Sequence, residues 1–323
     1  MSTTFFITEP DDELSISEVH SNYDGYGVSC NGGTDGFIDI TVSGGAGIYT
    51  YDWSNGSESE DLINIPAGNY SVTVTDQNNC SIDIQVNITE PESVIVSNTN
   101  ISTVSCPGGN DGAIDIDISG GFPPYDISWS SLTGFTSNNE DISGLLTGDY
   151  IITIIDDLNC SYDFSFFVPE EEPIIVQENH EDVSCFGAND GSINIVLSGG
   201  IPPFNYEWSN GFLTPNIDDL GPGDYTLTIT DSNLCSQEIE VSIQEPALLT
   251  FEVNTFDVST CFGDPTGSAY LTINGGSPPY NQNWYGFNPN ALQGGNYLVT
   301  VTDANDCVFE ETFTINQPDE LIL

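Results

Sequence analysis

Apolar and polar positions alternate with a period of two along most of the chain. Ile38, Ile40 and Val42 alternate with Asp39 and Thr41, and Ile114, Ile116 and Ile118 with Asp115 and Asp117. Tyr70, Val72 and Val74 alternate with Ser71 and Thr73, and Ile82, Ile84, Val86 and Ile88 with Asp83, Gln85 and Asn87. A strand sends successive side chains to opposite faces, so this pattern predicts strands with one buried and one solvated face. No segment holds the 3.6-residue period of an amphipathic helix. Short strands bounded by Gly, Pro and Asn turns predict an all-β fold.

The strands recur inside a longer period. A unit of about 76 residues repeats four times, and such a period determines architecture before any single residue does. Each copy carries a first cysteine (Cys30, Cys106, Cys185, Cys261) and a second one (Cys80, Cys160, Cys235, Cys307). Between them come a Gly-rich turn with an acid (Asp35, Asp111, Asp190), a Gly-Gly pair, one tryptophan (Trp53, Trp129, Trp208, Trp284) and a Gly-x-Tyr (Tyr70, Tyr150, Tyr225, Tyr297). An aspartate stands four residues before each second cysteine: Asp76, Asp156, Asp231 and Asp303. Each copy closes on a polar-proline joint such as Glu90-Pro91 or Glu245-Pro246.

Six or seven short strands per copy predict a β-sandwich of immunoglobulin type, with the tryptophan on strand C and the Gly-x-Tyr at the entry to strand F. The expected architecture is a series of tandem immunoglobulin-like sandwiches forming an extended rod. Its repeats would span 11–91, 92–172, 173–246 and 247–318. Phe6–Pro10 repeats the pattern of Asn87–Pro91, so residues 1–10 read as the last strand of a preceding repeat, and 319–323 as the start of a following one.

A unit this small has a thin core and needs help from cross-links. Eight cysteines in two repeated positions, with no C-x-x-C pair and only two histidines, point to disulfides rather than zinc, and hence to an oxidising compartment outside the cell. Two pairings are open. With strand order A-B-C-C′-E-F-G, the first cysteine precedes B and the second follows F. They would then sit at opposite ends of one sandwich, roughly 20–25 Å apart at about 3.3 Å per residue. That is too far for a disulfide. Head-to-tail stacking would instead pair Cys30 with Cys160, Cys106 with Cys235 and Cys185 with Cys307, leaving Cys80 and Cys261 for repeats beyond this sequence. If a single strand lies between Trp and Gly-x-Tyr, the parity flips and Cys30–Cys80 becomes an internal bridge.

Charge narrows the functional classes. The chain has no lysine or arginine and 50 acidic residues, a formal charge of −50. Phosphate binding depends on basic side chains, so a nucleic-acid partner is not expected. Self-repulsion keeps such a chain soluble and opposes compaction. Disorder is not expected, because 38% of residues are hydrophobic and 11% aromatic, in ordered alternation. No stretch approaches the ~20 apolar residues of a membrane span, so membrane insertion is not expected.

Calcium is the one cofactor that this composition invites, through Asp35, Asp111 and Asp190 at one end of each sandwich and Asp76, Asp156, Asp231 and Asp303 at the other. The plain alternative is that each acid makes an Asx-turn. No Ser-His-Asp grouping can be placed, and no cation exists to stabilise an oxyanion, so no enzyme is expected.

The series Cys-x-Gly-x-x-Asp-Gly, Ser-Gly-Gly, Pro-Pro-Tyr, Trp-Ser-Asn-Gly, Gly-Asn-Tyr-Ser-Val-Thr-Val-Thr-Asp and Asn-Cys-Ser resembles the SprB repeat. Ala46–Tyr49 in the first copy and Trp284-Tyr285-Gly286 in the fourth depart from it. The resemblance implies the surface of gliding Bacteroidota, very large adhesins and export by the type IX system. The expected role is a structural, tension-bearing stalk whose partners are neighbouring repeats of the same long chain. The alternative is a multivalent module that binds glycan or surface polysaccharide weakly at each bead.

Overall fold

The computed structural model describes residues 12–321. The strand expected at residues 1–10 lies outside them, as do the last two residues of 319–323. Residues 319–321 carry no regular structure. The described chain contains strands and turns without a helix, in two compact units, Met1–Glu171 and Glu172–Leu323.

The first sandwich has six strands: β1 (Ser15–His20), β2 (Gly36–Ser43), β3 (Thr50–Trp53), β4 (Leu62–Ile65), β5 (Gly68–Thr75) and β6 (Ser81–Ile88). They form two antiparallel sheets, β1-β2-β4 and β3-β5-β6. Strands therefore pair with the second neighbour in sequence, β2 with β4 and β3 with β5, as A-B-E and C-F-G do in an immunoglobulin sandwich. The period-two pattern explains why two sheets form. Along β2 the residues alternate buried and exposed from Gly36 to Val42, and the buried set (Ile38, Ile40) meets Trp53, Val72 and Val74 from the facing sheet.

A single strand, β4, lies between Trp53 and the Gly-x-Tyr, yet the parity does not flip. Because β4 pairs with β2 and β5 with β3, strands β2 and β5 still run the same way. Residues 54–61 return the chain along the sandwich without joining a sheet. Strand counting failed because it treats each connection as a hairpin, whereas this one is an irregular crossover.

The tryptophans form the centre of each core. Trp53, Trp129 and Trp208 are at most 2% exposed. Each indole N–H donates to a carbonyl of the crossover segment, Ser59 at 2.8 Å, Asn139 at 3.0 Å and Thr214 at 3.0 Å. A buried indole contributes on the order of 4–6 kcal/mol, taking 150–250 Å² at about 25 cal/mol/Å². The hydrogen bond leaves no polar atom stranded and pins the crossover to the core.

The second sandwich repeats this plan around Trp129, with an added two-residue strand, Thr136–Ser137, against Asp126–Ser131. In the second unit, the strands Ile175–Glu181, Gly191–Ser198 and Ile217–Leu220 form one sheet. Asn205–Trp208, Gly223–Thr230 and Ser236–Ile243 form the other, around Trp208.

The fourth sandwich is looser. Its counterpart of β4 is reduced to one bridge, Gly267–Leu292, its apolar residues fall into two clusters, and Trp284 is half-buried. Elsewhere this strand carries two buried residues three apart around a left-handed residue: Leu62 and Ile65 about Asn64, Ile142 and Leu145 about Gly144, Ile217 and Leu220 about Asp219. In the fourth copy Pro289 takes the first of these places, and proline cannot donate to a ladder.

Candidate functional site

The recurrent aspartates organise the ends of each sandwich. In the turn between the last two strands, Asp76 Oδ1 accepts from the Asn78 and Cys80 N–H groups at 2.8 and 2.9 Å, and Oδ2 accepts from Ala46 N–H at 2.9 Å. Asp156 does the same with Leu158, Cys160 and Phe122, Asp231 with Asn233, Cys235 and Ile201, and Asp303 with Asn305, Cys307 and Ser277. One carboxylate thus ties the second cysteine to the Ser-Gly-Gly loop of the opposite sheet. These four groups are only 2–5% exposed. Hydrogen bonds from Cys80 and Ala46 hold the Asp76 carboxyl below its ordinary range. Burial opposes ionisation of Asp303, but the Ser277, Cys307 and Asn305 donors outweigh it and lower its pKa as well.

At the other end, the acid after the first cysteine braces the turn that carries it. Ser29 N–H donates to Asp35 at 3.1 Å, Ser105 N–H to Asp111 at 3.0 Å and Ser184 N–H to Asp190 at 3.0 Å. Hydrogen bonds from Ser105 and Ser184 lower the pKa of Asp111 and Asp190; for Asp35, burial works the other way but is outweighed. The fourth copy keeps the turn by another route, since Cys261 N–H donates to Asp264 at 3.2 Å.

The two acid sets expected to hold calcium are therefore engaged by backbone donors. Among the described residues, no three His, Cys, Asp or Glu side chains come together as a metal site. The Asx-type turns account for these acids.

Four polar residues escaped the sequence analysis as site residues. Glu90 accepts from Gly32 N–H at 2.6 Å, Glu170 from Gly108 at 2.9 Å, Glu245 from Gly187 at 3.0 Å and Gln317 from Gly263 at 3.1 Å. Each donor lies two residues after a first cysteine, and each acceptor directly precedes or lies just before a joint proline. The linker is thereby clamped to the cysteine turn of its own repeat. The signal was present in the sequence as a Glu or Gln at one fixed place in every joint.

The disulfides meet at these two kinds of turn. In the first unit Cys30 is bonded to Cys160, with Cα atoms 5.6 Å apart, and in the second Cys185 is bonded to Cys307, at 5.7 Å. Each bridge joins the first turn of one sandwich to the last turn of the next. Cys106 and Cys235 are disulfide-bonded too, whereas Cys80 and Cys261 are free and exposed. The internal Cys30–Cys80 bridge does not form.

Around the first bridge, Cys160 Sγ lies 3.2 Å from the Ser29 carbonyl oxygen, and the half-buried Tyr162 lies beside the Asn31 backbone. Burial pushes the Tyr162 hydroxyl pKa up, and the nearby Asp156 charge adds to it. Around the second, Asn305 Nδ2 donates to Ser184 O at 2.9 Å and Cys307 Sγ lies 3.3 Å from the same oxygen.

Two tyrosine locks complete the frame. The Gly-x-Tyr hydroxyls donate back four residues, Tyr70 to Pro66 O at 2.9 Å, Tyr150 to Leu146 O at 3.0 Å, Tyr225 to Gly221 O at 3.0 Å and Tyr297 to Gln293 O at 2.9 Å. This is the tyrosine corner of immunoglobulin-like sandwiches. Tyr49, Tyr125 and Tyr280 donate to Gly44, Gly120 and Gly275 and close the Ser-Gly-Gly loops, or their Asn-Gly-Gly counterpart.

A family model of the SprB repeat matches residues 28–58, 98–134, 178–212 and 255–288. The SprB-repeat model is thus detected four times across the chain. Each match includes the first-cysteine turn and the tryptophan and stops before the second cysteine. SprB repeats belong to cell-surface adhesins, and with its disulfides the chain is an extracellular repeat module of adhesin type. No curated protein matches it in sequence.

Among solved structures it is similar to the N-terminal eight Ig domains of Down Syndrome Cell Adhesion Molecule isoform 1.30.30, at 9% identity and a TM-score of 0.34, over 95% of this chain and 60% of that one. It is also similar to Sidekick-1 immunoglobulin domains 1–5, at 11% identity and a TM-score of 0.32, over 86% of this chain and 76% of that one.

Proposed function

We propose that these SprB repeats form a tension-bearing, disulfide-stapled stalk segment of a very large surface adhesin or filament. The supporting observation is the load path that the staples create. Tension entering the first unit reaches Cys30 and crosses to Cys160 through a covalent bond, bypassing the chain between them. In the second unit, Cys185 and Cys307 do the same. Most of each pair of sandwiches is then shielded from force. Such a stalk works without catalysis. Its partners are neighbouring repeats, and its place is outside the cell, where gliding motility and type IX export would put it. Burial of Trp53, Trp129 and Trp208 favours this over a multivalent glycan binder, which needs aromatic faces open to the sugar.

Pulling single molecules by their two ends tests the proposal. The staples enclose sequence separations of 130 and 122 residues. Reductant should therefore release roughly 450 Å and 430 Å of additional contour length at about 3.5 Å per residue. Equal lengths with and without reductant would show that the staples carry no load.

A further inference from the structure

The first and third sandwiches, one in each unit, carry a cleft at the same place in the fold. In the first, Tyr49, Tyr51, Asp52, Glu58 and Glu60 line a cavity of about 480 Å³. In the third, Phe204, Tyr206, Glu207 and Leu213 line one of about 250 Å³. Threonines of the neighbouring strand complete both, with Asp52 opposite Thr73 and Glu207 opposite Thr228. Each cleft takes in successive residues of one strand, whose side chains leave by opposite faces, so it wraps the edge of that strand.

That edge is the outer edge of a sheet. β3 and its counterpart Asn205–Trp208 are outermost in their sheets. Trp53 N–H points away from β5, donating to Ser57 O at 3.0 Å, whereas Ser54 N–H points toward it, donating to Ser71 O at 2.8 Å. Backbone donors alternate in direction along a strand, so Tyr51 N–H points outward as Trp53 N–H does. Tyr206 N–H points outward for the same reason, because Trp208 donates to Phe212 O and Ser209 to Thr226 O. The second sandwich shows that this edge accepts a further strand. Its Thr136–Ser137 pairs with Ser130 and Trp129 on the outer side of the sheet.

Charge selects the occupant. Asp52, Glu58 and Glu60 are exposed at the first cleft, and Glu207 is exposed at the third. Burial, the Glu60 carboxylate and the Asp61 charge push the Tyr51 hydroxyl pKa up to about 12. A second copy of this chain has no lysine or arginine and would bring like charge to the edge. Cationic side chains are the complement, since carboxylates and tyrosine faces both attract them.

We propose that the two clefts are docking sites for an extended, basic peptide segment of a partner protein. Its main chain pairs with Tyr51 or Tyr206 along the sheet edge, and its lysine or arginine side chains meet Asp52 or Glu207. Docking here does not depend on the staples or on the stalk role.

Calorimetric titration of the whole chain in about 0.15 M salt tests this, because attraction beyond about 8 Å is then largely screened. The probe is a capped eight-residue peptide alternating lysine and threonine. Its control is the same peptide methylated at every backbone nitrogen, which keeps the charge and removes the main-chain donors. The probe should occupy two sites per chain, and the control should bind at least about tenfold more weakly. Hydrogen exchange of the Tyr51 and Tyr206 N–H groups should slow when the probe binds. Glu58→Gln with Glu60→Gln should weaken the first site severalfold and leave the protection of Tyr206 unchanged. Absence of binding, equal affinity of probe and control, or protection that spares Tyr51 and Tyr206 would each overturn the proposal.

Discussion

The four aspartates before the second cysteines show how an acid-rich chain folds without a single lysine or arginine. Asp303 has no cation to pair with, so three backbone N–H groups take that part. Its folded pKa lies below the ordinary 3.8. A group with a depressed pKa stabilises the fold fully above its unfolded value and loses that contribution as pH falls through the folded one. Asp303→Asn should therefore cost about 1–3 kcal/mol near pH 6, since the amide nitrogen cannot accept from those donors. The gap in melting temperature between variant and native chain should close below about pH 4. A gap that stays constant from pH 7 to pH 3 would show that ionisation is not the source.

At the scale of elements, the Gly-Gly pair after the second strand is where loop and sheet meet most closely. Gly120 has φ +76° and its backbone lies so near Ser93 that an added Cβ would stand 2.1 Å from the Ser93 carbonyl oxygen. Gly134 has φ +86° with nothing within 4 Å. Gly134→Ala should cost only the left-handed conformation, about 1–2 kcal/mol, while Gly120→Ala should cost clearly more. Equal losses in a urea titration would refute the steric account.

Much at this scale was legible in the sequence. The alternation along Ile38–Val42 and Ile82–Ile88, the buried tryptophans and the tyrosine corners all follow from side-chain period and size. The short strand Leu62–Ile65 was harder to read, because its bulge about Asn64 spaces the buried residues by three instead of two. The linker acids Glu90, Glu170 and Glu245 were hidden for another reason. Their recurrence at one place in each joint was visible, but their partners are backbone N–H groups some 60 residues away, and no residue identity marks those donors.

At the scale of the whole molecule, a formal charge of −50 opposes compaction and the disulfides oppose unfolding. Charge repulsion is screened over about 10 Å at 0.1 M salt and about 3 Å at 1 M. The melting temperature should accordingly rise by at least about 5 °C from low salt to 1 M sodium chloride, the shift that about 1 kcal/mol gives a domain of 60–100 residues. No rise would mean that the carboxylates are spread too widely to repel. The Cys30–Cys160 link closes 130 residues, worth about 5 kcal/mol in the chain-entropy account. Cys30→Ser should therefore destabilise the first unit by an amount of that order, whereas Cys80→Ser should leave it nearly unchanged, because Cys80 is free and exposed. Calorimetry of the two variants separates these outcomes.

The sequence by itself determined the strands, the four-fold repeat, the sandwich cores and the lack of lysine or arginine to pair with its acids, because these depend on side-chain period, volume and charge. Only the tertiary structure decided which cysteine meets which in the two bridges Cys30–Cys160 and Cys185–Cys307, and that the recurrent acids accept from backbone N–H groups of distant loops. Those outcomes turn on strand direction and on backbone hydrogen bonds between distant segments. Neither is encoded in the identity of any single residue.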